Sequence, residues 1–198
     1  MNEKELNENI EKIKQLLTQP DYDKIDAGIE LAISLEEPAV FEILLGGCGI
    51  GEEGKLIRNK IFSGTGPAQL FLGRHSKPVY YQLYYSRLDY ALVNLIGYAT
   101  KDTKVDKSLE HANIKTLFLR NCSWLELPSG LAKLTNLTTL DLYYCNSLQN
   151  VDGLANLTNI TSLDLSSSDK VHPKPSRSEM TTREEVAAYQ EEIRKSMK

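Results

Sequence analysis

The stretch Leu44–Leu56, LLGGCGIGEEGKL, contains the glycine spacings of two phosphate-binding motifs. Gly49, Gly51 and Gly54 match G-x-G-x-x-G, the turn that binds the pyrophosphate of a dinucleotide. Gly49, Gly54 and Lys55 match G-x-x-x-x-G-K, the loop that cradles a nucleoside triphosphate. Both motifs need backbone N–H groups close to phosphate oxygens, an approach that glycine permits. The stretch therefore raises the question of a nucleotide site.

The neighbouring residues argue against a nucleotide site in segment 46–55. The dinucleotide motif needs an acidic residue roughly 20 positions further on to bind the ribose, and the sequence there reads AQLFLGRHS. In the triphosphate loop a Ser or Thr follows the lysine, whereas here Leu56 follows, and Glu52 and Glu53 are negative where phosphate would lie. We expect no cofactor. A nucleotide-responsive or enzymatic N-terminal region, with the rest of the chain as a targeting module, is the alternative function.

The cysteines and histidines do not form a recognisable reactive set. Three cysteines are an odd and sparse number for a disulfide framework, and zinc usually takes four Cys or His ligands at characteristic spacings. None of the three histidines accompanies a nucleophile motif. These residues are Cys48, Cys122, Cys145, His75, His111 and His172. We expect no metal site and no catalytic residue, and hence a protein that is not an enzyme.

The composition is that of an ordinary globular protein, with 41% hydrophobic and 25% charged residues in a chain of 198. A formal net charge of −4 provides no basic surface for nucleic acid or an anionic membrane. No apolar run approaches the roughly 18 residues of a membrane span, and the N-terminus lacks the apolar core of a signal peptide. We expect a cytoplasmic protein.

The elements that would position functional side chains follow from an internal repeat. Segments that begin at Ile114, Leu137 and Ile160 align without gaps, each 23 residues after the previous one. Alternating leucines in each segment predict a short strand with one apolar face. The recurring apolar positions are Leu117, Leu140 and Leu163; Leu119, Leu142 and Leu165; Leu125, Leu148 and Val171; Leu131 and Leu154; and Leu134 and Leu157.

This pattern resembles the leucine-rich repeat, L-x-x-L-x-L-x-x-[N/C]-x-L, whose period is 20–29 residues. Cys122 and Cys145 occupy the Asn/Cys position, as in repeats of the bacterial type, and we expect small buried side chains there that bond the loop backbone. The resemblance implies an α/β fold, a short solenoid of about three repeats with a helical N-terminal flank and a C-terminal capping helix. It also implies a non-catalytic protein-interaction scaffold or adaptor.

The flanks give a division into a helical N-terminal region (1–110), the leucine-rich repeats (111–173) and a linker with the capping helix (174–198). Helical periodicity predicts N-terminal helices with the apolar residues Ile10, Ile13, Leu16, Leu17, Ile25, Ile29, Ala32 and Ile33, then a short helix before the glycines. A tyrosine-bearing helix, Tyr80–Tyr98, would cover the edge of the first repeat. Thr182 and Glu185 form a capping-box pattern ahead of an apolar stripe of Val186, Tyr189, Ile193 and Met197.

The candidate binding surface is the face of the strands opposite the leucines, where residues 23 apart stack in columns. We predict that a protein or peptide partner, of basic character, binds there through aromatic anchors and carboxylates. The predicted partner-binding residues are Phe118, Arg120, Asp141, Tyr143, Tyr144 and Asp164. Two alternatives stay open, namely that the aspartates are merely soluble strand-face residues and that the partner binds the Tyr80–Tyr98 helix instead.

Overall fold

A computed structural model describes residues 1–19, 21–50, 56–62, 69–71, 93, 95–98, 114–120 and 124–198. The N-terminal part consists of helices α1 (Glu3–Leu17), α2 (Tyr22–Ser34) and α3 (Pro38–Leu45), followed by strands β1 (Gly49–Ile50) and β2 (Leu56–Ile57). The remaining elements are β3 (Gln69–Phe71), β4 (Thr116–Phe118), β5 (Thr139–Asp141), β6 (Ser162–Asp164), β7 (Glu179–Met180) and helix α4 (Arg183–Ser196). Two 3-10 helices, Ser129–Lys133 and Asp152–Asn156, connect β4 to β5 and β5 to β6.

The predicted N-terminal helices are confirmed. The side chain of Asn2 accepts the N–H of Glu5 and so caps α1, Asp21 caps α2 in the same way, and Pro38 opens α3 where its missing N–H costs nothing. Their apolar stripes enter the hydrophobic core, although Leu16 and Ile33 are only half-buried. The buried residues of these helices are Ile10, Ile13, Leu17, Ile25, Ile29, Ala32, Val40, Phe41, Leu44 and Leu45.

The predicted fold class, a leucine-rich repeat solenoid, is wrong. Within the described residues, β3 to β7 form one mixed sheet in the order β3-β4-β5-β6-β7. Only β4, β5 and β6 run parallel, and antiparallel strands flank them on both sides. Each of these strands has only two or three residues. A parallel ladder this short leaves unpaired N–H and C=O groups on both edges, and the flanking segments pair with them. The result is a mixed-sheet α+β domain.

A strand pairs with the edge of β4 at which the tyrosine-bearing helix was expected. β3 pairs with β4 antiparallel, with Leu70 opposite Leu117. The described end of the helix lies instead against the first 3-10 helix, where the hydroxyls of Tyr98 and Ser129 are 3.5 Å apart and Lys133 Nζ lies 5.3 Å from the centroid of the Tyr98 ring. Residues 80–92 of the predicted helix lie outside the described residues.

The leucines of the parallel strands form the centre of the core. Leu117, Leu140 and Leu163 are opposite one another across β4, β5 and β6 and are fully buried. One predicted inward position is wrong, because Leu125 is 62% exposed and the larger Trp124 is buried beside it. The other recurring apolar positions are buried as expected: Leu119, Leu142, Leu165, Leu148, Val171, Leu131, Leu154, Leu134 and Leu157.

Small side chains bond the loop backbone at the predicted position after β5 and β6. The thiol of Cys145 donates to the carbonyl of Leu119 at 3.2 Å, and the hydroxyl of Ser168 donates to the carbonyl of Leu142 at 2.8 Å. The Ser168 hydroxyl also accepts the N–H of Cys145 at 2.9 Å. These contacts tie consecutive turns together inside the core. Cys122, the third member of this position, lies outside the described residues.

Helix α4 closes the opposite side of the molecule and starts with the predicted capping box. Thr182 accepts the N–H of Glu185, and the Glu185 side chain accepts the N–H of Thr182. A further bond from the N–H of Thr181, at 3.0 Å, lowers the pKa of the Glu185 carboxyl below its ordinary value. Val186, Tyr189 and Ile193 are buried as expected, but Met197 is 54% exposed, so the apolar stripe ends one turn early.

A polar side chain that no sequence pattern indicated anchors α4. Gln190 is buried, and its amide donates to the carbonyls of Leu154 (2.8 Å) and Leu157 (2.9 Å) at the end of the second 3-10 helix. Arg194 donates to the carbonyl of Ala155 at 2.7 Å in the same way. The carbonyls of Leu154 and Leu157 also accept the N–H groups of Leu157 (3.1 Å) and Ile160 (3.2 Å), so Gln190 adds a second hydrogen bond to each of them.

Replacing Gly97 tests the packing of the tyrosine-bearing segment against the first 3-10 helix. A Cβ at Gly97 would overlap the carbonyl oxygen and carbon of Gly130, which are backbone atoms and have little room to move. We expect Gly97→Ala to lower the free energy of unfolding by about 2–3 kcal/mol, as overpacking does. Gly153→Ala is the matched control, because its nearest atoms are 3.9 and 4.0 Å away. Urea denaturation of both variants measures the difference, and equal stability would contradict the packing.

Removing the Gln190 side chain should remove two buried hydrogen bonds between α4 and the second 3-10 helix. We expect Gln190→Ala to cost about 1–3 kcal/mol of unfolding free energy, since each hydrogen bond contributes about 0.5–1.5 kcal/mol. Glu192→Ala, at an exposed position of the same helix, should change it by less than about 0.5 kcal/mol. Chemical denaturation is again the measurement. A loss at Gln190 no larger than at Glu192 would mean that α4 is not anchored through this amide.

Candidate partner-binding surface

The predicted binding residues lie on the face of the sheet opposite the leucines. Phe118 is opposite Asp141, and Asp141 is opposite Asp164, so the predicted column is a true row across the parallel strands. The row continues to Glu179 on β7, which is opposite Asp164. Residues directly opposite one another point to the same side of a sheet. The row therefore presents one aromatic ring and three carboxylates on one face.

The two aspartates of this row each organise the turn that follows their strand. Asp141 Oδ1 accepts the N–H of Tyr143 at 3.0 Å, and Asp164 Oδ1 accepts the N–H of Ser166 at 2.8 Å. Such bonds from an aspartate to the backbone two residues on are typical of Asx turns. The next residue is left-handed in both turns, with φ 61° at Tyr144 and 59° at Ser167. The aspartates therefore have a structural role that the sequence analysis did not assign.

The carboxylate of Asp141 is bound by an arginine of its own chain. Arg120 Nε donates to Asp141 Oδ2 at 2.6 Å, and a second guanidinium nitrogen contacts the same oxygen. Asp141 is only 4% exposed. The guanidinium carbon lies 5.8 Å from the centroid of the Phe118 ring and 5.7 Å from that of Tyr143, within the range of cation–π contact. Arg120 is thus fixed by a carboxylate and two aromatic rings.

Two adjacent tyrosines form the exposed part of the surface. Tyr143 is 36% and Tyr144 46% exposed, and their ring centroids are 5.9 Å apart. The turn that carries them is fixed by Asp141 and by the N–H of Tyr144, which donates to the carbonyl of Ser166 at 2.8 Å. We call Phe118, Arg120, Asp141, Tyr143 and Tyr144 the aromatic–arginine cluster. The cluster exposes two large aromatic rings on a turn whose backbone is fixed by hydrogen bonds.

The structure brings the predicted residues together but changes what they can bind. Asp141 was expected to attract a basic partner, and Arg120 already neutralises it. The sequence columns did not predict this pair, because they align Arg120 with Tyr143. In the structure the long side chain of Arg120 reaches Asp141, its diagonal neighbour on the next strand. Glu179 was not predicted, because β7 has only two residues and is too short to show the periodicity of a strand.

The described residues around the glycine-rich segment differ from the context of either phosphate-binding motif. Gly49 and Ile50 form β1, which pairs antiparallel with β2, so the two strands form a hairpin. Both motifs require a strand, a loop and then a helix, and described residues 58–62 after β2 contain no helix. Gly51, Gly54 and Lys55 lie outside the described residues.

Cys48 is a packing residue next to this hairpin. It is 2% exposed, its Sγ accepts the N–H of Asn59 at 3.4 Å, and burial raises the pKa of its thiol. The Asn59 amide donates to the carbonyls of Leu44 (2.7 Å) and Gly46 (2.9 Å) at the end of α3. A buried thiol with a raised pKa is a poor nucleophile. The contacts of Cys48 and Asn59 join the hairpin to the helices.

In the part of the chain that the structure describes, no group of three or more His, Cys, Asp or Glu side chains is arranged to hold a metal ion. No helix there combines the length and apolar character needed to cross a bilayer.

Comparison of the chain with protein-family models, with curated proteins and with solved structures gave no match. The surface therefore has to be interpreted from its own residues.

The Arg120–Asp141 pair should be measurable as a coupling. Because the Asp141 side chain is 6% and the Arg120 side chain 26% exposed, we expect Arg120→Met to cost about 1–3 kcal/mol by leaving a nearly buried carboxylate without its cation. The double variant Arg120→Met/Asp141→Asn should lose much less unfolding free energy than the sum of the losses in the two single variants. Asp164→Asn, which keeps the turn-forming oxygen, should cost under about 0.5 kcal/mol. A double-mutant cycle by urea denaturation checks this, and additive losses would refute the pairing.

Proposed function

We propose that the protein is a non-catalytic interaction scaffold or adaptor that binds a protein partner with its aromatic–arginine cluster. The observation that carries the proposal is Tyr144. It is 46% exposed and is held in the left-handed region, at φ 61°. A non-glycine residue there costs roughly 1–2 kcal/mol, and an exposed ring recovers little of that cost by burial. An exposed tyrosine in a conformation that favours glycine is therefore better explained by contact with a partner than by folding.

The composition of the cluster supports the same proposal. Tyrosine and arginine are enriched among the residues that dominate binding energy, and fixed side chains lose little entropy when a partner binds. The turn bonds of Asp141 and the contacts of Arg120 provide such fixation before any partner is present. The 23-residue sequence period supports the proposal as well, because it places Phe118, Asp141 and Asp164 opposite one another on β4, β5 and β6.

The cellular setting in this proposal is the cytoplasm. The cysteines are few, and the two that the structure describes, Cys48 and Cys145, are free thiols buried in the core. Such thiols need no oxidising compartment.

Glycine at position 144 should separate folding from binding. We expect Tyr144→Gly to leave the free energy of unfolding unchanged or to raise it by up to about 1 kcal/mol, because glycine adopts this backbone conformation without strain. Partner capture should fall by about tenfold or more, as for a tyrosine at the centre of an interface. The measurement is quantitative affinity capture from cell extract with wild-type and variant baits, combined with thermal denaturation of each bait.

The controls for this experiment lie in the next turn of the same fold. Ser167→Gly changes the left-handed residue of the turn after β6, at φ 59°, and should leave capture unchanged. Tyr143→Ala should reduce capture as Tyr144→Gly does. If both tyrosine variants capture the same proteins in the same amounts as the wild type, the cluster is not the binding surface. A thermal shift of wild type with ATP, GTP or NAD would instead favour the nucleotide alternative.

A further inference from the structure

Two positions of the sheet have the same backbone geometry but different side chains. The N–H of Leu119 donates to the carbonyl of Asp141 at 2.8 Å, and the N–H of Leu142 donates to the carbonyl of Asp164 at the same distance. Arg120 follows the first donor and Tyr143 follows the second. The backbone of Tyr143 therefore has the same position relative to Asp164 as the backbone of Arg120 has relative to Asp141. The first pair contains a cation and the second does not.

The carboxylate of Asp164 lacks the partner that Asp141 has. Both aspartates use Oδ1 to accept a backbone N–H in their turns. Asp141 Oδ2 is taken by Arg120, whereas Asp164 Oδ2 has no hydrogen bond or ion pair to any residue in the described ranges. Asp164 is half-buried, so its charge is only partly solvated.

The next strand adds a second negative charge. Glu179 is directly opposite Asp164, is exposed, and makes no ion pair with the described part of the chain. Like charges directly opposite in a sheet destabilise it. A cation placed between Asp164, Glu179 and the Tyr143 ring would relieve that repulsion and would find the same types of group that surround Arg120.

We propose that the partner inserts an arginine side chain at this position, with its guanidinium on Asp164 and Glu179 and against the ring of Tyr143. The inference rests on the proposed function and names the chemistry of the partner residue. Arginine fits better than lysine because its planar group can bond a carboxylate through two N–H groups while it stacks on a ring. Arg120 shows that combination within the same molecule, with its Nε 2.6 Å from the carboxylate and its guanidinium 5.7 Å from the Tyr143 ring.

The first experiment needs no natural partner. Tyr143→Arg would place an arginine toward Asp164 as Arg120 is placed toward Asp141. We expect Tyr143→Arg to have an unfolding equilibrium constant about fivefold smaller than Tyr143→Ala, as for a partly exposed ion pair. With Asp164→Asn in both backgrounds the difference should disappear. The proposed arginine site would be overturned if the two variants had equal unfolding equilibrium constants. It would also be overturned if their difference persisted in the Asp164→Asn background.

The second experiment uses defined probes. Four pools of acetylated and amidated nonapeptides, with degenerate positions around a fixed central Arg, Lys, citrulline or Glu, are titrated into the wild-type protein and monitored by amide NMR shifts of Tyr143, Tyr144 and Ser166. We expect the arginine pool to bind at least about tenfold more tightly than the citrulline pool. Binding should weaken with salt, since the charges are partly exposed. Asp164→Asn should remove the preference, and Lys170→Ala, at an exposed position beyond the next turn, should not.

The outcomes separate this inference from the proposed function. Equal binding of all four pools, abolished by Tyr144→Gly, would keep the cluster as a binding surface and refute the arginine. No binding of any pool would refute the arginine as well, and the capture experiment with Tyr144→Gly would then decide the proposed function independently. Preference for arginine that survives in Asp164→Asn/Glu179→Gln would place the cation elsewhere and overturn the inference.

Discussion

The register of three short parallel strands is the constraint on which the rest of the structure depends. Leu117, Leu140 and Leu163 lie opposite one another and are fully buried. Because side chains alternate along a strand, a shift of one residue would turn every leucine to solvent and every surface residue to the core. The buried leucines thereby also determine which residues can form the surface row, including Asp141 and Asp164.

Three strands of three residues each cannot satisfy their own edges, and this explains why the flanks became part of the sheet. β3 pairs with one edge and β7 with the other, both antiparallel. A solenoid would leave such edges to further copies of the same unit or to capping helices. Here the edge strands come from segments outside the 23-residue repeat, and α4 reaches the core through the buried amide of Gln190 and the apolar residues around it.

The binding surface shows how one structural element acquires different chemistry in successive turns. The turns after β5 and β6 share an Asx bond and a left-handed residue. In the first, the aspartate is occupied by Arg120 and the left-handed residue is an exposed tyrosine. In the second, the aspartate makes no ion pair with the described part of the chain, and the left-handed residue is a serine. The backbone is thus a fixed frame, and the side chains at two or three positions decide what each turn can bind.

The sequence by itself determined the three parallel strands, the inward leucines other than Leu125, the N-terminal helices and the capping box, because each depends on periodicity or on contacts within four residues. It also placed Phe118, Asp141 and Asp164 in one row on the face opposite the leucines. The sequence could not determine which residues these side chains contact. The pairing of Arg120 with Asp141, the position of Glu179 beside Asp164 and the edge strands β3 and β7 are contacts between residues far apart in the chain. Such contacts depend on the reach of a side chain and on unsatisfied backbone groups at an edge, which exist only once the tertiary structure has formed.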